Sequence, residues 1–87
     1  LPEWIAEMDS IERLGVSHNH LLELPDLSKM KSLREFDCEH NLLEHFPWEL
    51  AEKPELEMLI LRDNDFRLSN EDRKRINKLR ETINIVY

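Results

Sequence analysis

Two histidines enclose an asparagine at His18-Asn19-His20, and a third histidine, His40, precedes a second asparagine at Asn41. Imidazole pairs with a nearby carboxylate are the raw material of zinc sites. Asp63, which precedes Asn64, supplies that carboxylate if the three stretches are repeats of one another. A histidine-asparagine-histidine run also raises the thought of an HNH nuclease, but that chemistry needs a ββα-metal unit, and no part of the chain reads as one. The metal reading is set aside as well. The positions fall at a turn edge and are expected to be exposed, and the sequence shows no second shell to orient the rings. His20 and His45 are expected on other faces. No metal and no cofactor is therefore expected.

The remaining reactive groups read as structural. Cys38 is the one cysteine, so no internal disulfide can form. It occupies an apolar position of the pattern described below, without a neighbouring base to activate it, and reads as a buried core thiol. Arg67, Arg73, Lys74, Arg75, Lys78 and Arg80 make a basic run. Glu71, Asp72 and Glu81 interrupt it, no aromatic residues interleave, and it reads as a solvated helix face. The net charge of −7 also argues against bulk nucleic-acid binding. No run approaches the ~20 apolar residues needed to cross a bilayer. No Asn-x-Ser/Thr acceptor occurs, and with the lone cysteine this leans the expected setting toward a reducing cytoplasm. No catalytic constellation emerges, and the chain is expected not to be an enzyme.

One glycine in 87 residues is a stronger clue. Tight turns usually draw on glycine, so a fold without it must turn by another device. Three stretches align: Ile11 to Leu21, Leu33 to Leu43, and Leu56 to Phe66. Each reads L-x-x-L-x-L-x-x-N-x-L, with Ile, Val, Phe and Cys as apolar replacements, and the units start at 11, 33 and 56. The L-x-L alternation has the period of a strand with one buried face. A lone short strand cannot cover that face. Stacked units make a parallel sheet and one continuous core. The asparagine amide can bond backbone groups of its own and the neighbouring coil, and so is read as the turn device. The return segments, Leu21 to Leu33 and Leu43 to Leu56, carry apolar residues at helical or 3₁₀ spacing, with Pro25 and Pro47 placed to open a first turn.

The chain resembles the leucine-rich repeat family, in its 22–23-residue form with Leu-Pro after the asparagine turn, as in Leu24-Pro25 and, with phenylalanine, Phe46-Pro47. The resemblance covers essentially the whole chain. It implies an α/β solenoid: a short parallel β-sheet on the concave side, helical or 3₁₀ turns on the convex side, and a helix-strand cap at the C-terminal end. The expected division is a half repeat or N-terminal cap over 1–10, repeats over 11–32, 33–55 and 56–68, and a cap over 69–87. Excision from a longer array is the favoured reading of the half repeat, which would leave the first strand's edge open to self-association. In the cap, Ser69 to Asp72 reads as a capping box, with Ile76, Leu79, Ile83 and Ile85 inward.

The register then predicts the surface. Glu12, Arg34 and Glu57 form a column of alternating charge, and Arg13–Glu35 and Glu39–Arg62 form pairs across coils. Met58 and Ile60 break the charged rule and point out of their strand. Such residues beside charges are a typical interface centre. The resemblance implies protein binding, so the expected partner face comprises Arg13, Glu35, Asp37, Glu39, Met58, Ile60 and Arg62, with a protein and not a small molecule, membrane or nucleic acid as partner. The alternative is a structural or regulatory segment of a larger kinase, ligase or effector. Trp4 and Trp48 are expected on the convex side, either packed or as a second contact site.

Overall fold

The computed structural model describes Ile5 and residues 8–87, with the side chain of Ser28 set apart. The Leu1-Pro2 start of the half repeat, and Trp4, lie outside the described residues.

Four strands form one parallel sheet in chain order: β1 (Arg13–Gly15), β2 (Glu35–Asp37), β3 (Met58–Ile60) and β4 (Asn84–Val86). The pairing strands are three residues long. The register is the one the repeat demands: Leu14, Phe36, Leu59 and Ile85 stand in one line. Phe36 and Leu59 are fully buried, while Leu14, on the edge strand, is half-buried. The next inward position, Val16, Cys38 and Leu61, forms a second line, and Cys38 and Leu61 are fully buried. The ladder continues past the strands through Val16 N–H to Asp37 O (2.8 Å) and Cys38 N–H to Ile60 O (2.8 Å).

The returns run behind the sheet. A 3₁₀ turn spans Leu27–Lys29 and a short helix, α1, spans Trp48–Ala51, with Pro47 at its N-cap. Leu27, Met30, Leu33, Phe46, Leu50, Ala51 and Leu56 close the core from that side. The molecule is a slab of 34 × 28 × 16 Å, a depth that holds one sheet and one layer of turns.

Helix α2 (Asn70–Leu79) and β4 finish the described chain. Ser69 caps α2 by accepting from Asp72 N–H (3.1 Å), and the Asp72 carboxylate accepts from Ser69 N–H (3.0 Å), a complete capping box. Ile76, Ile83 and Ile85 are buried, and Leu79 is half-buried. The basic run is partly structural. The Arg75 guanidinium pairs with Glu52 and lies 4.2 Å over the Trp48 ring. Arg80 donates to Ile85 O (3.0 Å) and stacks on Tyr87 (4.8 Å). Trp48 itself packs on Phe46 (4.5 Å) and is half-buried, which is the packed reading of this convex tryptophan.

The turn device differs from expectation in one respect. The asparagines do the bonding, but the left-handed backbone falls one residue earlier, at His18 (φ 58°), His40 (φ 54°) and Asp63 (φ 58°). Histidine and aspartate are among the non-glycine residues that tolerate this region. The division of labour explains a glycine-poor solenoid: one residue turns the chain, and the next ties it down.

Candidate functional site

Asn41 shows how the coils are tied. Its Nδ2 donates to Val16 O (3.0 Å) in the coil before and to Cys38 O (3.2 Å) and Glu39 O (3.2 Å) in its own, and its Oδ1 accepts from Leu21 N–H (3.1 Å). Asn64 repeats the pattern, donating to Cys38 O (2.9 Å) and Leu61 O (3.0 Å) and accepting from Leu43 N–H (3.0 Å). Among the described residues, Asn19 donates to Val16 O and Ser17 O of its own coil. This ladder fixes the outward residues of the strands relative to one another.

On the concave face the charges meet as the register requires. Arg13 Nε lies 2.9 Å from Glu35 Oε2, Arg62 lies 2.8 Å from Glu39 Oε1, and Arg34 sits between Glu12 (3.8 Å) and Glu57 (3.5 Å). Most of these groups are exposed, so each pair contributes at most about 1 kcal/mol and chiefly sets register. Asp37 accepts Glu39 N–H (3.1 Å) through Oδ1.

Met58 and Ile60 lie on this face but are half-buried, not standing free as the sequence implied. They line a depression of about 210 Å³ with Arg13, Leu14, Gly15, Glu35, Phe36 and Asp37. The hollow has a local cause. Gly15 pairs in register with Asp37, and Asp37 with Ile60, and a Cβ added at Gly15 would meet nothing within 4 Å. The one glycine of the chain therefore leaves an open space beside the two apolar side chains. The sequence-expected residues Arg13, Glu35, Asp37, Met58 and Ile60 border one hollow, while Glu39 and Arg62 sit together toward the turn edge.

At that edge His18, His40 and Asp63 form the expected column. The His18 and His40 rings stack at 4.4 Å with 23° between planes, and His40 Nδ1 lies 3.0 Å from Asp63 Oδ2. Cys38 is buried behind them. Burial and then the charge of Asp37 push its thiol up to about 11, against a smaller lowering by the Asn41 amide. It is neither accessible nor activated.

Three features escaped the sequence reading. Leu22 and Leu42 are exposed, Leu22 at 64%. A second groove of about 320 Å³ runs past Leu22, Leu24, Pro25, Phe46, Pro47 and Leu50. The signal was present, since Leu42 stands where the other repeats have His20 and Asp65, and Leu22 where the next has Glu44. Lys53 is buried with its amine 3.0 Å from Glu55. It stands 23 residues after Met30, at the place where the preceding repeat buries a methionine. Among the described residues no helix is long and apolar enough to cross a membrane.

No family model matches the chain, and no curated protein matches it. Among solved structures it is similar to a leucine-rich repeat protein of Leptospira interrogans, at 30% identity and a TM-score of 0.81, over 100% of this chain and 22% of that one. The chain thus spans about a fifth of that protein's length. A chain that superposes throughout its length on such a protein, and that closes its successive coils with the asparagine its own motif supplies, has the leucine-rich repeat fold.

Proposed function

We propose that this is a non-enzymatic protein-binding module that takes a partner protein on its concave face, through Arg13, Glu35, Asp37, Glu39, Met58, Ile60 and Arg62. The observation that carries the reading is the apolar hollow beside Gly15, lined by Met58 and Ile60 and bordered by the Arg13–Glu35 ion pair and Asp37. An apolar centre within a charged rim is the anatomy of protein interfaces. The sheet beneath it is held by coil-to-coil hydrogen bonds, and a rigid surface loses little freedom on binding. Acidic groups outnumber basic ones on this face: Glu12, Glu35, Asp37, Glu39 and Glu57 against Arg13, Arg34 and Arg62. That balance favours a protein partner with basic groups over a nucleic acid. The buried lone thiol of Cys38 supports a reducing, cytoplasmic setting.

The test is capture on the immobilised chain, followed by calorimetry with each purified candidate. Met58→Asp/Ile60→Asp should weaken binding at least tenfold with an unchanged circular dichroism spectrum, while Arg73→Glu on the exposed face of α2 should leave it unchanged. Equal affinity for the folded double variant would remove the concave site. A second reading, a structural or regulatory segment of a larger protein, is favoured by the span of about a fifth of the Leptospira protein. A reading frame that continues into a domain of another class would support it.

A further inference from the structure

We propose that His18, His40 and Glu39 bind a divalent transition-metal ion of the zinc class, with Asp63 orienting His40. The solenoid brings the ligands together. His18 N–H donates to Glu39 O (2.9 Å) and His40 N–H to Arg62 O (2.9 Å), so the turn positions of successive coils are locked one above another. The shared left-handed backbone sends both imidazoles off the same edge, where they stack. One donor atom from each of His18, Glu39 and His40 lies within 4.8 Å of the others.

A Zn–N bond of about 2.0–2.1 Å puts two donors on one ion about 3.4 Å apart. The donors must therefore close by up to about 1.4 Å as the rings turn their lone pairs inward. Both histidines are exposed, so side-chain rotation accomplishes this without moving the backbone. The second shell that the sequence did not reveal is supplied by Asp63. Its carboxylate, 3.0 Å from His40 Nδ1, accepts that N–H and leaves the Nε2 lone pair free for an ion. Two imidazoles and one carboxylate suit zinc or copper, and do not suit magnesium or calcium, which take oxygen.

Arg62 is the competitor, because its guanidinium holds Glu39 at 2.8 Å. An ion that takes the Glu39 carboxylate releases this arginine, so the site and the Arg62–Glu39 pair exclude each other. This separates a built site from casual adsorption on surface histidines: removing the arginine should tighten the ion.

The experiment is calorimetric titration of the chain with zinc chloride, and with magnesium chloride as the contrast. Asparagine keeps the left-handed turn and removes the imidazole, so His18→Asn and His40→Asn are the variants of choice. The expected result is one zinc ion per chain and no magnesium heat. Each histidine variant should weaken zinc at least tenfold, and Asp63→Asn should weaken it about ten- to a hundredfold. Arg62→Gln should tighten it, and His20→Asn should leave it unchanged. The proposal is overturned if zinc gives no heat, if His18→Asn and His40→Asn bind zinc as tightly as the parent, or if Arg62→Gln weakens binding. Circular dichroism of each variant separates loss of ligand from loss of fold.

Discussion

At the scale of single residues, the repeat assigns each side chain a duty that its chemistry alone would not reveal. Cys38 is a sulfur nucleophile by type and an inert core group by position, fully buried and held protonated by its surroundings. With its thiol pushed up to about 11, only about one molecule in a thousand carries a thiolate at pH 8. A thiol-disulfide reagent at pH 8 should therefore label the native chain at least a hundredfold more slowly than the chain in guanidinium. Equal rates would show the thiol to be open. The sign for stability follows: the folded chain holds this proton to higher pH than the unfolded chain. The group's contribution is thus present below pH 9 and declines as pH rises from about 9 toward 11. Cys38 was legible because the L-x-x-L-x-L-x-x-N-x-L frame fixes which positions face inward. The left-handed turn was not. The motif marks the asparagine, and the residue before it varies among His18, His40 and Asp63, so identity gave no common signal for a shared φ.

At the scale of elements, register was the most legible property, because a parallel sheet of identical coils has few alternatives. Once Leu14, Phe36 and Leu59 were aligned, the pairs Arg13–Glu35, Glu39–Arg62 and the Arg34 column followed, and all are formed. The convex returns were legible only coarsely. The 23-residue second repeat takes its extra residue there, and this placed Lys53 where Met30 is buried in the repeat before. A lysine in that place sacrifices hydration for one contact with Glu55, which is largely exposed. Exchanging such an ion for an apolar side chain of similar length is commonly neutral or stabilising. Lys53→Met is expected to raise the urea midpoint, with a gain of about 1 kcal/mol. A lowered midpoint would mean that the amine holds α1 to the next coil in a way that the Met30 coil does not need.

At the scale of the whole molecule, function follows from a stack that exposes one face of a short sheet while covering the other. Sheet-covering residues come from every return, so the concave hollow and the histidine edge rest on the same scaffold. The hollow itself was only half legible. Met58 and Ile60 were visible as apolar residues on a charged face, but the space beside them comes from Gly15 two coils away, across β2, and appears only when the coils are superposed. The central claim is that each coil is held by the one before it, with the asparagine as tie. Asn41 binds two coils together, whereas among the described residues Asn19 binds its own. Urea unfolding of Asn41→Ala and Asn19→Ala tests this directly. Asn41→Ala removes a buried amide and orphans Leu21 N–H, while Val16 O keeps the Asn19 amide, at a cost of about 2–3 kcal/mol. Asn19→Ala, exposed and local, is expected to cost about 1 kcal/mol or less. Equal losses in the two variants would contradict the stacked account.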